Sequence, residues 1–216
     1  MVLDLTPDEL LTSTRTVRKR LDLDRPVDRS TVEQCLDLAL QAPNGSNQQM
    51  WTWIFVDDPA KRTEVADIYR DALDSYASRP DSLASRKVEL TPAQQRMRDS
   101  VYHLRDNLHR VPVLLVPVLH ARLEGASPFM AVSSYGSIIP AIWSFMLALR
   151  SRGMGSAWTT ITLHREAEMG AALGIPAGST HMGVFPVAYT VGTEFKPAPR
   201  RPAADVMAWN SMEGSR

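Results

Sequence analysis

Three stretches of this 216-residue chain place polar and basic side chains where they could hold a ligand. Arg15-Thr16-Val17-Arg18-Lys19-Arg20 sets four cations and one hydroxyl within six residues. Guanidinium forks and a hydroxyl match the oxygens of a phosphate. A solvated basic turn would read the same way, and it is the commoner origin of such a run. Ala42-Pro43-Asn44-Gly45-Ser46-Asn47-Gln48-Gln49-Met50-Trp51 passes from a helix end through a polar loop into an aromatic strand. Its backbone N–H groups and side-chain amides could read a ring with donor and acceptor edges. A helix C-cap and turn accounts for Asn44-Gly45, but not for two glutamines and a further asparagine ahead of Trp51. Gly153-Met154-Gly155-Ser156-Ala157-Trp158-Thr159-Thr160 offers small residues that permit close approach of a planar ligand, then two hydroxyls at a strand end. Alone, a Gly-x-Gly without its third glycine is no dinucleotide fingerprint.

Other chemistries find less support. His103, His109, His120, His164 and His181 are scattered, with no His/Glu spacing for a metal, and none is expected. Cys35 is the lone cysteine; it excludes an internal disulfide, and inside an apolar run it reads as a core filler. The 24 basic and 24 acidic residues give a formal net charge of +0, which argues against a nucleic-acid or membrane-surface partner. Residues 1–11 carry Asp4, Asp8 and Glu9 and lack the marks of a secretory signal, so a cytoplasmic location is expected. The apolar run Val111–Leu119 is too short to span a bilayer.

The elements that must position these stretches alternate between helix and strand. Thr6-Pro7-Asp8-Glu9, Ser30-Thr31-Val32-Glu33 and Thr91-Pro92-Ala93-Gln94 are helix starts with capping-box spacing, and Asp57-Asp58-Pro59 is a fourth start. Trp51–Val56 and 111–120 read as buried strands, although Pro112 and Pro117 weaken the second. A long helix, apolar almost all round, should run from Phe129 or Ser133 to Arg152 and be central or lie in an interface; Gly153 stops it. A short strand over 156–160, a short helix over 165–173 and a last strand over 182–191 follow. The polar stretch 77–91 reads as a surface loop, and the proline-rich tail from Pro197 should cross a surface or a partner before 206–209 re-anchors it. The pattern is one mixed α/β layer fold, with residues 1–216 as a single domain.

In order, type and spacing, the three stretches resemble the FMN-dependent nitroreductase family. Its members show an early Arg-Ser/Thr-x-Arg, an Ala-Pro-Ser/Thr-x-x-Asn-x-Gln-Pro-Trp loop, a Gly-x-Gly segment after a long helix, and a late basic Arg-x-Pro. The resemblance spans about residues 12–210, and the run Leu147 to Thr160 is most like an actinobacterial branch. It implies an α+β three-layer fold with a central, mostly antiparallel sheet flanked by helices, in a homodimer with a domain-swapped C-terminal tail. It also implies FMN as cofactor, NAD(P)H as co-substrate, and hydride transfer through flavin N5 to a small aromatic, quinone-like or nitro acceptor. No side chain need then act as acid or base. Arg15, Thr16 and Arg18 match positions that hold the flavin phosphate and ribityl chain. Pro43, Asn44, Gly45, Asn47 and Gln49 match the loop that reaches the flavin of the neighbouring subunit. Trp158, Thr159 and Thr160 match the segment beside the reactive edge, and Arg200 matches the late phosphate-binding arginine, with Arg201 as its rival. Met50 stands in place of the usual proline, Asn44 in place of Ser or Thr, and Leu21 where Phe is frequent; these bear on the loop's shape and on substrate choice. The same scaffold also serves dehalogenases, ene-type reductases, dehydrogenases and flavin-sequestering proteins. Segments 70–95 and 120–135 would shape the substrate cleft.

Overall fold

Alternation of side chains along a single strand divides the core in two. The computed structural model describes residues 2–79 and 90–212, and its central strand is β2 (Val113–Leu119). Successive strand residues face opposite sides of the pleat. Val113, Leu115 and Leu119 therefore join one apolar cluster, whereas Leu114 and Val116 join another. The first is closed by α2 (Arg29–Ala39) and α5 (Pro128–Ser151). The second is closed by α3 (Pro59–Ala77), α4 (Pro92–Asn107) and α6 (Glu166–Leu173). Helices on both faces of a sheet make the expected three layers. Most of the expected 77–91 loop lies outside the described residues.

All strand pairings are antiparallel. β1 (Trp51–Val56) is paired along its whole length with β2, from Trp51 against Leu119 to Val56 against Leu114. On its other side β2 pairs with β5 (Phe185–Tyr189), which carries β3 (Met154–Gly155), while β4 (Thr180–His181) caps the end of β2. Pro117 sits inside β2 without breaking it. Its carbonyl accepts from the Met182 amide at 2.7 Å, so its missing donor faces that same side, between the β5 pairing at 113–115 and the β4 pairing at 118–119. No ladder bond is required there.

Helix starts follow their local chemistry. Thr6 and Thr91 each accept from the third helical amide while Glu9 and Gln94 reach back, completing capping boxes on α1 (Pro7–Ser13) and α4. Asp58 caps α3. α2 departs from expectation, beginning at Arg29 after Asp28 with no side-chain cap, and ending at Ala39. α5 begins one residue before Phe129, at Pro128 behind the cap Ser127. At 24 residues it is long and apolar enough to cross a membrane by length and composition, and it is a longer apolar element than 111–119. Ile138, Ala141, Ile142, Phe145 and Leu149 instead pack into the first core cluster, as in the central helix of a layered fold.

Candidate functional site

The first and third stretches meet at the far end of the sheet. Thr16 forms a parallel bridge with Ser156, with the Val17 amide donating to the Ser156 carbonyl at 2.8 Å; Leu21 bridges Thr190. A Cβ on Gly155 would lie 2.9 Å from Val17 and 2.8 Å from the Thr190 methyl. The second glycine of Gly-Met-Gly thus lets the chain's own segments approach, which corrects the expectation that it makes room for a ligand. Gly153, at φ +71°, turns the chain out of α5.

The expected strand over 156–160 is also corrected. β3 covers only Met154 and Gly155, and the chain then runs on as isolated bridges. Thr159 pairs with Val184 in both backbone directions, at 3.2 and 2.9 Å, and its hydroxyl donates to the Val184 carbonyl. The Trp158 indole donates to the Met182 carbonyl at 2.6 Å and lies 5.3 Å from the Phe185 ring. This crossing requires Gly183, at φ +110°, where a Cβ would sit 2.2 Å from the Thr159 carbonyl oxygen. Thr160 is exposed beyond it, before a 3-10 turn over Ile161–Arg165 that delays α6 to Glu166. The expected 182–191 strand likewise resolves into β5 alone, with β4 before it.

The cations of the basic run divide by task. Arg20 donates to the carbonyls of Val191 and Glu194, both at 2.9 Å, and stacks 4.1 Å over Phe195. It is the clamp for the root of the C-terminal tail. Arg15 reaches the Lys196 carbonyl with one nitrogen. Arg18 is half-buried; one nitrogen reaches the Ser100 hydroxyl at 3.3 Å, and its Nε is buried with no partner among the described residues. Burial holds its pKa below the ordinary arginine value, with Tyr69 opposing. Ser156 Oγ is likewise buried and unpartnered. Among the described residues none of Arg15, Arg18 and Arg20 forms an ion pair, although arginines elsewhere on the surface do. A guanidinium keeps its charge, so this corner carries cations without counterions, and the donor set suits a phosphate.

The second stretch is held apart from this joint. A 3-10 turn, Gly45–Asn47, carries the loop, and Ser46, Asn47 and Gln49 all take left-handed backbone at φ 51°, 52° and 50°. For residues other than glycine this costs about 1–2 kcal/mol each, and such strain persists only where other contacts fix it. Here the Asn44 side chain accepts from the Gln49 amide at 3.1 Å, closing the loop on itself. The Gly45 amide donates to Ser137 Oγ on α5 at 2.9 Å. The Trp51 amide donates to the Gln49 carbonyl at 2.7 Å, and the His120 amide to Met50 at 3.0 Å, which joins the loop to β1 and β2. Pro43, Gly45, Asn47 and Gln49 are exposed and Asn44 half-exposed.

Arg200 stands on the exposed tail and donates to its own neighbour Pro199. Within the single chain the stretch expected to re-anchor the tail at 206–209 is exposed at Val206, Met207 and Trp209, Trp209 to 80%. So the structure joins Thr16 and Val17 to Gly155 and Ser156, which lead into the Trp158–Thr160 segment. It ties the 43–49 loop to α5 instead, and leaves Arg200 on the surface. Ser100, Ser137 and Gly183 are contributors that sequence reasoning missed. Each acts across a long separation, with no local signature to reveal it. A cavity of about 580 Å³ lies elsewhere, lined by Arg122, Glu166, Ser179 and His181 among others. No group of three or more metal-ligating side chains occurs among the described residues.

Solved structures share this fold. An FMN- and NADPH-dependent nitroreductase from Sphigopyxis sp. strain HMH superposes with a TM-score of 0.70 at 21% identity, covering 96% of this chain and 100% of that one. Oxidized iodotyrosine deiodinase, bound to FMN and 3-iodo-L-tyrosine, gives 0.69 at 20% identity, covering 94% and 98%. A BluB-like flavoprotein from Clostridium difficile 630 gives 0.70 at 16% identity, covering 96% and 100%. The model of the nitroreductase family matches residues 11–189, and the chain belongs to that family.

Proposed function

We propose that this chain is an FMN-dependent oxidoreductase that uses NAD(P)H to reduce a small aromatic, quinone-like or nitro compound. The observation that carries the reading is the cationic corner, where among the described residues Arg15 and Arg18 flank Thr16 with no carboxylate partner and buried polar atoms on Arg18 and Ser156 lack a partner too. A bound phosphate would supply that missing anion, with charge-assisted bonds about twice as strong as neutral ones. FMN held by Arg15, Thr16 and Arg18 would supply the redox chemistry, hydride transfer through N5 between a nicotinamide and the acceptor.

The chain's own residues then hold and orient. Arg15, Thr16 and Arg18 anchor the phosphate and ribityl end. Trp158, Thr159 and Thr160 border the reactive edge; the Thr159 hydroxyl is committed to the Val184 carbonyl, which leaves Thr160 as the exposed hydroxyl there. Pro43, Asn44, Gly45, Asn47 and Gln49 reach the flavin of a second subunit, and Arg200 arrives on the tail. A homodimer is supported by apolar surface that one copy leaves in water, including Phe129 at 76% and Val132 at 72% exposure on α5 and Trp209 on the tail. We read residues 1–216 as one domain and its location as cytoplasmic. The test is steady-state oxidation of NADH and NADPH with a nitroaromatic or a quinone. Turnover with one donor is expected, and no turnover with either would overturn the reading.

The deiodinase likeness favours a second reading, reductive dehalogenation on the same scaffold. Halide release from an iodinated phenol by the reduced protein, without turnover of nitroaromatics, would select it. Flavin that is bound but never bleached by a nicotinamide would instead select a sequestering protein.

A further inference from the structure

We propose that Ser137 is a positioning residue for the flavin-facing loop, a proposal that rests on the FMN reading above. α5 is apolar for most of its length, and a hydroxyl in such a helix competes for backbone partners. The Ser137 hydroxyl has a fixed polarity. It donates to the Ser133 carbonyl one turn back at 2.8 Å, which directs its lone pairs outward, and there it accepts from the Gly45 amide at 2.9 Å. The fit is close, since a Cβ on Gly45 would lie 3.3 Å from that same oxygen.

The bond matters because of what it restrains. Ser46, Asn47 and Gln49 hold left-handed backbone that a free loop of these residues would abandon. Two side chains oppose that relaxation: Asn44 from within the loop and Ser137 from the helix. The Asn47 and Gln49 side chains are exposed, the Gln49 amide donating to Asn47 Oδ1 at 3.5 Å, and there the proposed flavin edge of the second subunit would meet them. Ser137 therefore acts through the loop, setting which amide groups face the ring and at what angle.

The test compares wild type, Ser137→Ala and Ser137→Thr as full-length protein. Three quantities are read: amide hydrogen exchange of residues 43–50, FMN Kd, and the shape of the bound flavin's visible spectrum. Ser137 is half-exposed, so Ser137→Ala should keep the fold. It should speed exchange at Gly45, weaken FMN by roughly fivefold to tenfold, as loss of one hydrogen bond allows, and alter the spectrum. Ser137→Thr, which keeps the hydroxyl, should restore all three. Asn44→Ala should loosen the same loop, and its effect with Ser137→Ala should be less than additive. If wild type binds FMN and Ser137→Ala matches it in affinity and spectrum, the proposal is overturned, even where exchange quickens. Wild type that binds no FMN would instead overturn the functional reading beneath it.

Discussion

At the joint between Arg15–Arg18 and Ser156–Thr159, close approaches are relieved by glycine; in the Asn44–Gln49 loop, non-glycine residues take up the unfavourable backbone. Gly155 and Gly183 sit where a Cβ would strike another segment of the same chain. Ser46, Asn47 and Gln49 occupy the left-handed region with side chains in place, restrained by Asn44 and Ser137. The first arrangement is packing, fixed by backbone against backbone. The second stores strain in a segment whose amides face outward, and strain of that kind gathers at functional sites. The backbone of one region is closed by pairing within the chain, whereas the other leaves Asn47 and Gln49 exposed.

This contrast can be broken by exchanging the two solutions. Gly183→Ala should have the largest effect. With a Cβ 2.2 Å from the Thr159 carbonyl and φ at +110°, the β4–β5 connection must move. A loss of about 3 kcal/mol or more is expected. Thermal unfolding should then fall by roughly 10 °C. A melt within about 2 °C of wild type would show that the joint yields easily, and the contrast would lapse.

The joint should also respond to pH where the loop does not. His181 is buried beneath this crossing, its Nδ1 accepting from the Gly183 amide at 3.2 Å. Burial holds its pKa below the ordinary 6.5, opposed chiefly by Glu166. The folded ring is thus neutral where the unfolded one takes a proton. Its contribution is complete above about pH 6.5 and is lost as pH falls from there towards the depressed folded value. His181→Asn can keep an acceptor near the Nδ1 position without titrating. Its stability should fall less than that of wild type between about pH 6.5 and 5, read from denaturant midpoints. Parallel curves would remove His181 from the joint.

The smallest effect is expected in the loop, with the opposite sign. Ser46→Gly relieves left-handed strain, and the added freedom of the unfolded chain offsets part of that gain. A net rise of about 0.5 kcal/mol, or roughly 1–2 °C in Tm, should result. A fall in Tm would mean that the Ser46 conformation carries no strain.

The same contrast governs what could be read from the sequence. Capping boxes at Thr6 and Thr91 are local chemistry, and they appear where the residues placed them. Trp51–Val56 is a strand over its full expected length, because aromatic and β-branched residues fill both faces of a covered strand. The strand expected over 156–160 dissolved into bridges because its partners, Thr16 and Val184, come from distant segments. Asn44-Gly45 announced a turn, but nothing local showed that the left-handed residues would be Ser46, Asn47 and Gln49. Nor could it show that Ser137, 92 positions away, would hold the turn. Arg20 looked like Arg15 and Arg18 in the basic run, and only the tertiary path of the tail separates its role.

Whether the Arg15–Arg18 corner holds the phosphate of FMN is decided by a flavin titration. Wild-type protein should bind FMN stoichiometrically and turn yellow, absorbing near ~450 nm. Arg15→Ala should lose a charge-assisted bond of about 1.5–3 kcal/mol. Its Kd should rise roughly tenfold to a hundredfold or more. Arg15→Ala protein that holds FMN as tightly as wild type, or a colourless wild type that refuses added FMN, would contradict the account.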